Sequence, residues 1–279
     1  MAAFPGKGPT SQTLSSAPYA DSPAGGLRAI RIMGRASGSI QPRGFFGRRK
    51  GHRLKASRAA LLNSLLPRLA LDLAQRPQIP SALFTDPVEQ IRLEIGFGAG
   101  EYIIAQALAR PEVGFIGVEP FVNGMANALA AIAANSISNI RLHHGEATEV
   151  LAWLPTGSLA CVDLLYPDPW PKRRHWKRRF VQDANIAAIR RVLRPGGDFR
   201  FATDIAEYAA WALRHMLQSA GFEWTAERAD DWRLAWQGYT ATRYEAKARR
   251  EGRAPCYLVF RRTEGLKHSC MPNKAGHDG

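Results

Sequence analysis

Two hydrophobic rhythms alternate along the chain. Short apolar runs occupy Ile91–Ile95, Gly114–Val118, Ile140–His143, Leu159–Tyr166 and Asp198–Thr203. Stretches with helical spacing lie between and after them, near residues 101–109, 121–135, 147–153, 179–193 and 205–220. Short apolar runs bounded by turn residues suit buried strands, and longer amphipathic stretches suit helices. This β-then-α order predicts an α/β fold, a parallel sheet with helices on both faces. Upstream, residues 57–74 read as a helix bent or broken near Pro67, because proline removes a backbone donor. Downstream, a short helix over Thr242–Arg250 precedes a strong strand over Pro255–Arg261.

Composition narrows the class. The 279 residues are 46% hydrophobic, which is enough apolar material for a core and excludes a wholly disordered chain. No apolar run approaches the roughly 18–20 residues a membrane-crossing helix needs. The net charge of +14 points to a polyanionic partner. That charge is concentrated in residues 1–55, which hold ten Lys/Arg and one acid, Asp21. Residues 1–42 read as a disordered basic arm; a transit-like segment or an early start codon are the other readings. Residues 43–262 form the expected domain and 263–279 a flexible tail. Cys161, Cys256 and Cys270 are far apart, so neither a structural metal site nor a disulfide framework is expected. Such cysteine usage fits a reducing, cytoplasmic setting. One compact domain is expected to be a monomer.

In a parallel sheet, ligands bind outside the carboxyl ends of the strands, so the residues after each strand carry the chemistry. The first strand runs into Gly96, Gly98 and Gly100, a turn that lets backbone approach a ligand at a helix N-terminus. Glu119 closes the second strand, placed to accept hydrogen bonds from both hydroxyls of an adenosine ribose. NAD and S-adenosyl-L-methionine share that ribose. Glu94, Glu146 and Asp168, at three further strand ends, complete an acidic ring that suits a sulfonium and an ammonium better than a diphosphate. Asp204 ends the fifth strand.

The fourth strand opens into Tyr166-Pro167-Asp168-Pro169-Trp170-Pro171, where three prolines stiffen the backbone around Asp168. The next eight residues, Lys172 to Arg179, include six Lys/Arg with Trp176 among them. Such a run can hold phosphates and stack an unpaired base. Exocyclic-amine methyltransferases use an Asp/Asn-Pro-Pro-aromatic loop instead, which argues against that chemistry. Thr242 with Glu245 three residues on reads as a capping box, a structural role that competes with substrate binding.

These segments resemble the bacterial tRNA (guanine-N7-)-methyltransferases over about residues 43–262. The resemblance is carried by GFFGRRKGHRL, LEIGFGAGEY, GVEP, GEATEVL, YPDPWPKRRHWKRRF, RPGGDFRFATD and TRYEAKARREG. Its proline-aspartate-proline-tryptophan loop and basic sequel are the specific part; the glycine turn is not. The implied fold is a Rossmann-like class I methyltransferase, a mostly parallel twisted sheet with an antiparallel last strand. The implied reaction is methyl transfer from S-adenosyl-L-methionine to N7 of a variable-loop guanosine of tRNA, position 46. By the same resemblance Glu94, Gly96, Gly98, Gly100, Glu119, Glu146 and Asp168 would bind the cofactor, with Asp168 also catalytic. Lys172, Asp204, Thr242, Arg243, Tyr244 and Glu245 would hold the guanosine. Arg174, His175, Trp176, Lys177, Arg178 and Arg179 would touch RNA. Two positions depart from the family pattern, which more often has Asp at Glu146 and Phe at Tyr166. The competing readings are a non-catalytic RNA-binding protein, a methyltransferase acting on another RNA or base position, and a nicotinamide-dependent dehydrogenase. The last leaves the acids at 94, 146 and 168 unused.

Overall fold

The computed structural model describes Gly47, residues 49–75 and residues 79–264. The expected arm over 1–42 lies outside the described residues, as does the tail beyond residue 264. Seven strands form one sheet: β1 (Gln90–Ile95), β2 (Val113–Val118), β3 (Ile140–His143), β4 (Leu159–Leu165), β5 (Leu193–Thr203), β6 (Phe222–Trp224) and β7 (Cys256–Arg262). Their order is β3-β2-β1-β4-β5-β7-β6. The first five pair in parallel, and β7 runs antiparallel to both β5 and β6.

The helices are α1 (Ala56–Ser64), α2 (Leu66–Leu69), α3 (Glu101–Ala109), α4 (Val122–Asn135), α5 (Ala147–Trp153), α6 (Asp183–Val192), α7 (Ala206–Gln218), α8 (Asp230–Arg233) and α9 (Arg243–Arg250). The two-residue period of a strand distributes them. Ile91, Leu93 and Ile95 of β1 share a cluster with Val150 of α5, Ile186 of α6 and Ala212 of α7. On the opposite face, Phe115 of β2 and Leu142 of β3 pack with Ile103 of α3 and Met125 of α4. Leu61, Leu62, Leu65 and Leu66 cover that second cluster, and Ala70 bridges to Leu142 beside the edge strand β3. Helices thus flank both faces.

Three boundaries differ from the sequence reading. The helix expected from residue 179 begins at Asp183, because a 3₁₀ turn over Arg173–Arg178 comes first. The turn expected over Arg194–Gly197 is absorbed into β5, which starts at Leu193 with a shift of register against β4. The three-residue β6 and the single turn α8 had no counterpart in the pattern. The helix expected over 57–74 does break before Pro67, at Leu65, between α1 and α2.

Topology then fixes the site. Strand order reverses between β1 and β4, opening a crevice at their carboxyl ends. Because β7 is antiparallel, its first residue, Cys256, pairs with Thr203 at the carboxyl end of β5. The chain leading into β7, including α9, is therefore delivered to the same edge as the crevice.

Candidate active site

The glycine turn is geometrically constrained. Gly96, Gly98 and Gly100 have φ of +70°, +59° and +89°, a region that side chains with Cβ rarely adopt. The turn is also pressed by α4: a Cβ on Gly124 would lie 2.3 Å from the Gly98 carbonyl oxygen. Glu119 ties the turn to β2. One of its oxygens accepts from the Gly98 N–H at 2.6 Å and the other from the Phe121 N–H at 2.8 Å. Burial nevertheless outweighs those two bonds and pushes its pKa up to about 7.

Glu94 sits one residue before the end of β1, on the face opposite Leu93. It is buried, and its Oε2 has no hydrogen-bond partner. Burial, reinforced by the neighbouring Asp163 across the β1–β4 register, holds its pKa well above the ordinary range. Asp163 itself is committed to Arg92 at 3.0 Å, with the Tyr102 hydroxyl at 3.4 Å. Trp236 donates to that hydroxyl at 3.3 Å. This buried network beneath Glu94 left no signal in the sequence beyond charged residues at odd places in strands. An unpaired buried carboxylate oxygen is costly. It is well suited to a cationic ligand, which would both pair it and lower its pKa.

Glu146 follows β3 as the N-cap of α5. The Glu149 carboxylate reaches back to its N–H at 3.1 Å, making a capping box. Its own carboxylate pairs with Arg49 at 3.0 Å. The Arg49 carbonyl in turn accepts from Val122 at the start of α4. The segment ahead of α1 thus passes the strand-end edge beside this acid.

The loop after β4 is strained on both sides of Asp168. Tyr166 and Trp170 have φ of +49° and +44°, left-handed values uncommon for side chains of this size. Asp168 lies at the surface of the crevice, where partial desolvation raises its pKa. Charges facing one another report the convergence. Burial raises the pKa values of Glu119 and of the Tyr244 phenol; Asp168 adds to the first, and Glu119, Glu101 and Asp168 add to the second. Tyr244 also lies over the glycine turn, its ring 3.4 Å from the position of a Cβ on Gly98. Glu119 at the end of β2 and Tyr244 of α9 therefore both meet the glycine turn that follows β1, with the Asp168 loop after β4 at the same strand-end edge.

The other expected substrate residues take definite partners. Asp204 accepts from Arg253 Nε at 2.5 Å, a partner the sequence gave no reason to single out. Thr242 caps α9 through its hydroxyl, which accepts from the Glu245 N–H at 3.3 Å. The reciprocal half of the capping box does not form. Instead the Glu245 carboxylate accepts from the Tyr257 hydroxyl and from Arg249 Nε, each at 2.9 Å. Burial pushes this acid up, but the donors outweigh it and hold its pKa below the usual range. Arg243 pairs with Glu101 at the first turn of α3, pinning α9 across the glycine turn.

The basic run divides in two. Lys172, Arg173, Arg174 and Lys177 are exposed. His175 and Arg178 flank the Trp170 ring, with centroid distances of 5.8 and 4.9 Å. Trp176 turns onto Trp211, 5.4 Å away. Arg179 departs from the expected RNA contact. Its side chain has no exposed area, so a polyanion on the surface does not reach it.

Among the described residues no group of three His, Cys, Asp or Glu could hold a metal ion, and no helix is long and apolar enough to cross a membrane. Cys161 is buried in β4 and Cys256 half-buried in β7, both as free thiols.

The chain matches a family model described as "Putative methyltransferase" over residues 88–258. A tRNA (guanine-N(7)-)-methyltransferase from Nitrobacter hamburgensis is 61% identical over 78% of this chain and 86% of its own length. One of the same description from Bradyrhizobium diazoefficiens is 58% identical over 79% of this chain and 94% of its own length. A solved 16S rRNA (adenine(1408)-N(1))-methyltransferase from Catenulisporales acidiphilia is 17% identical, with a TM-score of 0.46 over 70% of this chain and 93% of that one. The sheet order, the family match and these relatives mark a Rossmann-like, class I S-adenosyl-L-methionine-dependent methyltransferase. At three-fifths identity over most of its length, the chain belongs to the bacterial tRNA (guanine-N7-)-methyltransferase family.

Proposed function

We propose that this chain methylates N7 of a guanosine in tRNA, the variable-loop position 46 of the family reading, with S-adenosyl-L-methionine as donor. One observation carries the assignment of the site. Glu94, with an open buried oxygen, and Glu119, bonded to the positive-φ glycine turn, stand at the strand ends next to β4, whose loop carries Asp168 and the arginine-rich lip. A nicotinamide dinucleotide would set its pyrophosphate against those acids, whereas a sulfonium and an ammonium complement them.

The residues fit the donor. Glu94 would take its ammonium, Glu119 its ribose hydroxyls, and Gly96, Gly98 and Gly100 the close backbone approach. When bound, S-adenosyl-L-methionine supplies an electrophilic methyl group on a positively charged sulfur. Guanine N7 carries an in-plane lone pair and no proton, so the chain needs no general base. Its work is alignment, exclusion of water and electrostatics. Asp168, braced by prolines, holds the guanine edge and stabilises the positive charge that develops on the ring. Tyr244 and the α9 N-terminus close the crevice from above, with Thr242, Arg243, Glu245 and Asp204 shaping the guanosine side. Glu146 borders the adenine position, paired with Arg49. Exposed Lys172 stands with the guanosine contacts, Arg174 and Lys177 offer exposed charge to RNA phosphates, and residues 43–262 are the catalytic unit. We take the enzyme to be a cytoplasmic monomer.

The direct test is transfer of labelled methyl to bulk tRNA followed by nucleoside analysis. The label is expected in 7-methylguanosine. Label in another nucleoside would favour a different base position, and binding of tRNA without transfer would favour a non-catalytic protein.

A further inference from the structure

Arg179 is the most deeply buried cation of the basic run. Its side chain is 0% exposed, although it continues a sequence of surface Lys and Arg. Three kinds of contact hold it. Nε donates to the carbonyl oxygen of Pro169, the residue after Asp168, at 2.8 Å. Nη2 pairs with Glu207 in the first turn of α7 at 2.9 Å. The rings of Trp176, Tyr208 and Trp211 surround the guanidinium, each centroid 5.0 Å away. The remaining nitrogen, Nη1, is buried without an acceptor. A buried unpaired donor is unfavourable, and the cation–π contacts compensate for it.

The same rings hold the chain on either side. The Tyr208 hydroxyl accepts from Phe180 N–H at 3.1 Å, and Trp211 donates to the Val181 carbonyl at 2.7 Å. The Arg179 N–H closes the 3₁₀ turn on the Trp176 carbonyl. Arg179 therefore joins three bodies: α7, the root of the basic lip, and the loop whose strained residues bracket Asp168. Proline stiffens the loop internally, but nothing in a proline fixes the loop against the sheet. The Tyr166 N–H anchors the start of the loop to Ala202 of β5 at 2.7 Å, and beyond Asp168 the bond from Arg179 to the Pro169 carbonyl ties it to α7.

We infer that Arg179 is a positioning residue for the methyl transfer, a guanidinium strut that fixes the Pro169 carbonyl and so sets the place of Asp168, rather than a contact for RNA. The inference rests on the reading of Asp168 as the group that holds guanine. A planar guanidinium is required, because one atom must meet a carbonyl while another meets a carboxylate. Lysine retains the cation among the rings but cannot span both.

The test compares Arg179→Lys, Arg174→Ala and Asp168→Asn in the full chain, with kcat and KM for tRNA, affinity for S-adenosylhomocysteine, and thermal melting. Arg179→Lys is expected to lower kcat tenfold or more, since displacing a reacting group by about 1 Å can cost about a hundredfold. Its KM and S-adenosylhomocysteine affinity should stay within a factor of about three. Amide hydrogen exchange at residues 168, 170 and 172 should quicken, with the Gly96–Gly100 turn unchanged. Arg174→Ala should do the opposite, raising KM and sparing kcat. Should Arg179→Lys melt early, Glu207→Gln, half-exposed on α7, is measured in the same way and should also lower kcat and quicken exchange in the loop. Unchanged kcat, or a raised KM with kcat intact, overturns the strut and leaves Asp168 standing. Full turnover by Asp168→Asn overturns the assignment of Asp168 itself.

Discussion

On the β1–β2 side of the crevice, carboxylates are held by backbone. Glu119 spans two N–H groups, and Glu94 stands on a strand above the buried Arg92–Asp163 pair. On the β4–β5 side, Asp168 stands in a loop held by prolines, two strained residues and an arginine strut from the basic run. The first side is built from regular elements and holds buried carboxyl groups at fixed positions. The second is irregular, costs backbone strain, and joins the acid to a cationic lip. Strain of this kind survives where the surrounding structure over-determines it and where function depends on placement. In the proposed function, donor binding falls to the first side, and guanine alignment and RNA contact to the second.

The largest effect is expected from Asp168→Asn, which keeps the shape of the loop and removes its charge. Loss of one preorganised electrostatic group costs about 2–4 kcal/mol of transition-state stabilisation, so kcat should fall by about thirtyfold to a thousandfold. Single-turnover rates at saturating tRNA and cofactor report it. On the other side, Glu94→Gln should act on affinity. Removing a charged partner from a buried ammonium is worth about 1.5–3 kcal/mol. Calorimetry with S-adenosylhomocysteine should therefore show binding weakened about tenfold to a hundredfold, while tRNA affinity holds.

The exposed part of the lip gives a smaller, salt-dependent effect. Arg174→Ala with Lys177→Ala should reduce the slope of log affinity for tRNA against log salt by about one to two. A salt series of binding titrations checks this, with S-adenosylhomocysteine affinity as the control. Acidity yields the smallest effect. The folded Glu119 pKa, about 7, lies above the ordinary carboxylate value. Between that ordinary value and 7 the folded protein binds more protons than the unfolded chain, so this group makes the ligand-free fold less stable as pH rises through the window. Donor binding has the opposite sign, because ribose hydroxyls prefer an ionised acceptor. Affinity for S-adenosylhomocysteine should rise severalfold from pH 6 to pH 8, while the melting contribution of Glu119→Gln relative to the native chain shrinks toward low pH.

Much of the first side was legible in the sequence. Strand, glycine turn and acid recur in a fixed local order, so Glu94, Glu119 and the three glycines could be placed by counting from apolar runs. The proline loop was legible for a similar reason, since proline has few local conformations. Arg179 was not. A run of Lys and Arg reads as uniformly solvated, and the partners that bury this one, Glu207, Tyr208 and Trp211, lie on another helix. Asp204 and Arg253, or Arg49 and Glu146, likewise meet only through the fold. Strand β6 was missed because three residues are too few to show a two-residue period. Glu245 shows the reverse failure. Its spacing from Thr242 predicted a reciprocal cap, but Tyr257 on the later strand β7 captured its carboxylate.

The measurement that bears most directly on the division of labour is a crystal structure of the chain with S-adenosylhomocysteine bound. The account predicts the ligand amine on the open oxygen of Glu94, the ribose hydroxyls on Glu119, and the sulfur directed toward Asp168. A ligand seated elsewhere, for example in the groove formed by Lys50 to Leu54 against Asn123, with Glu94 untouched, would contradict it.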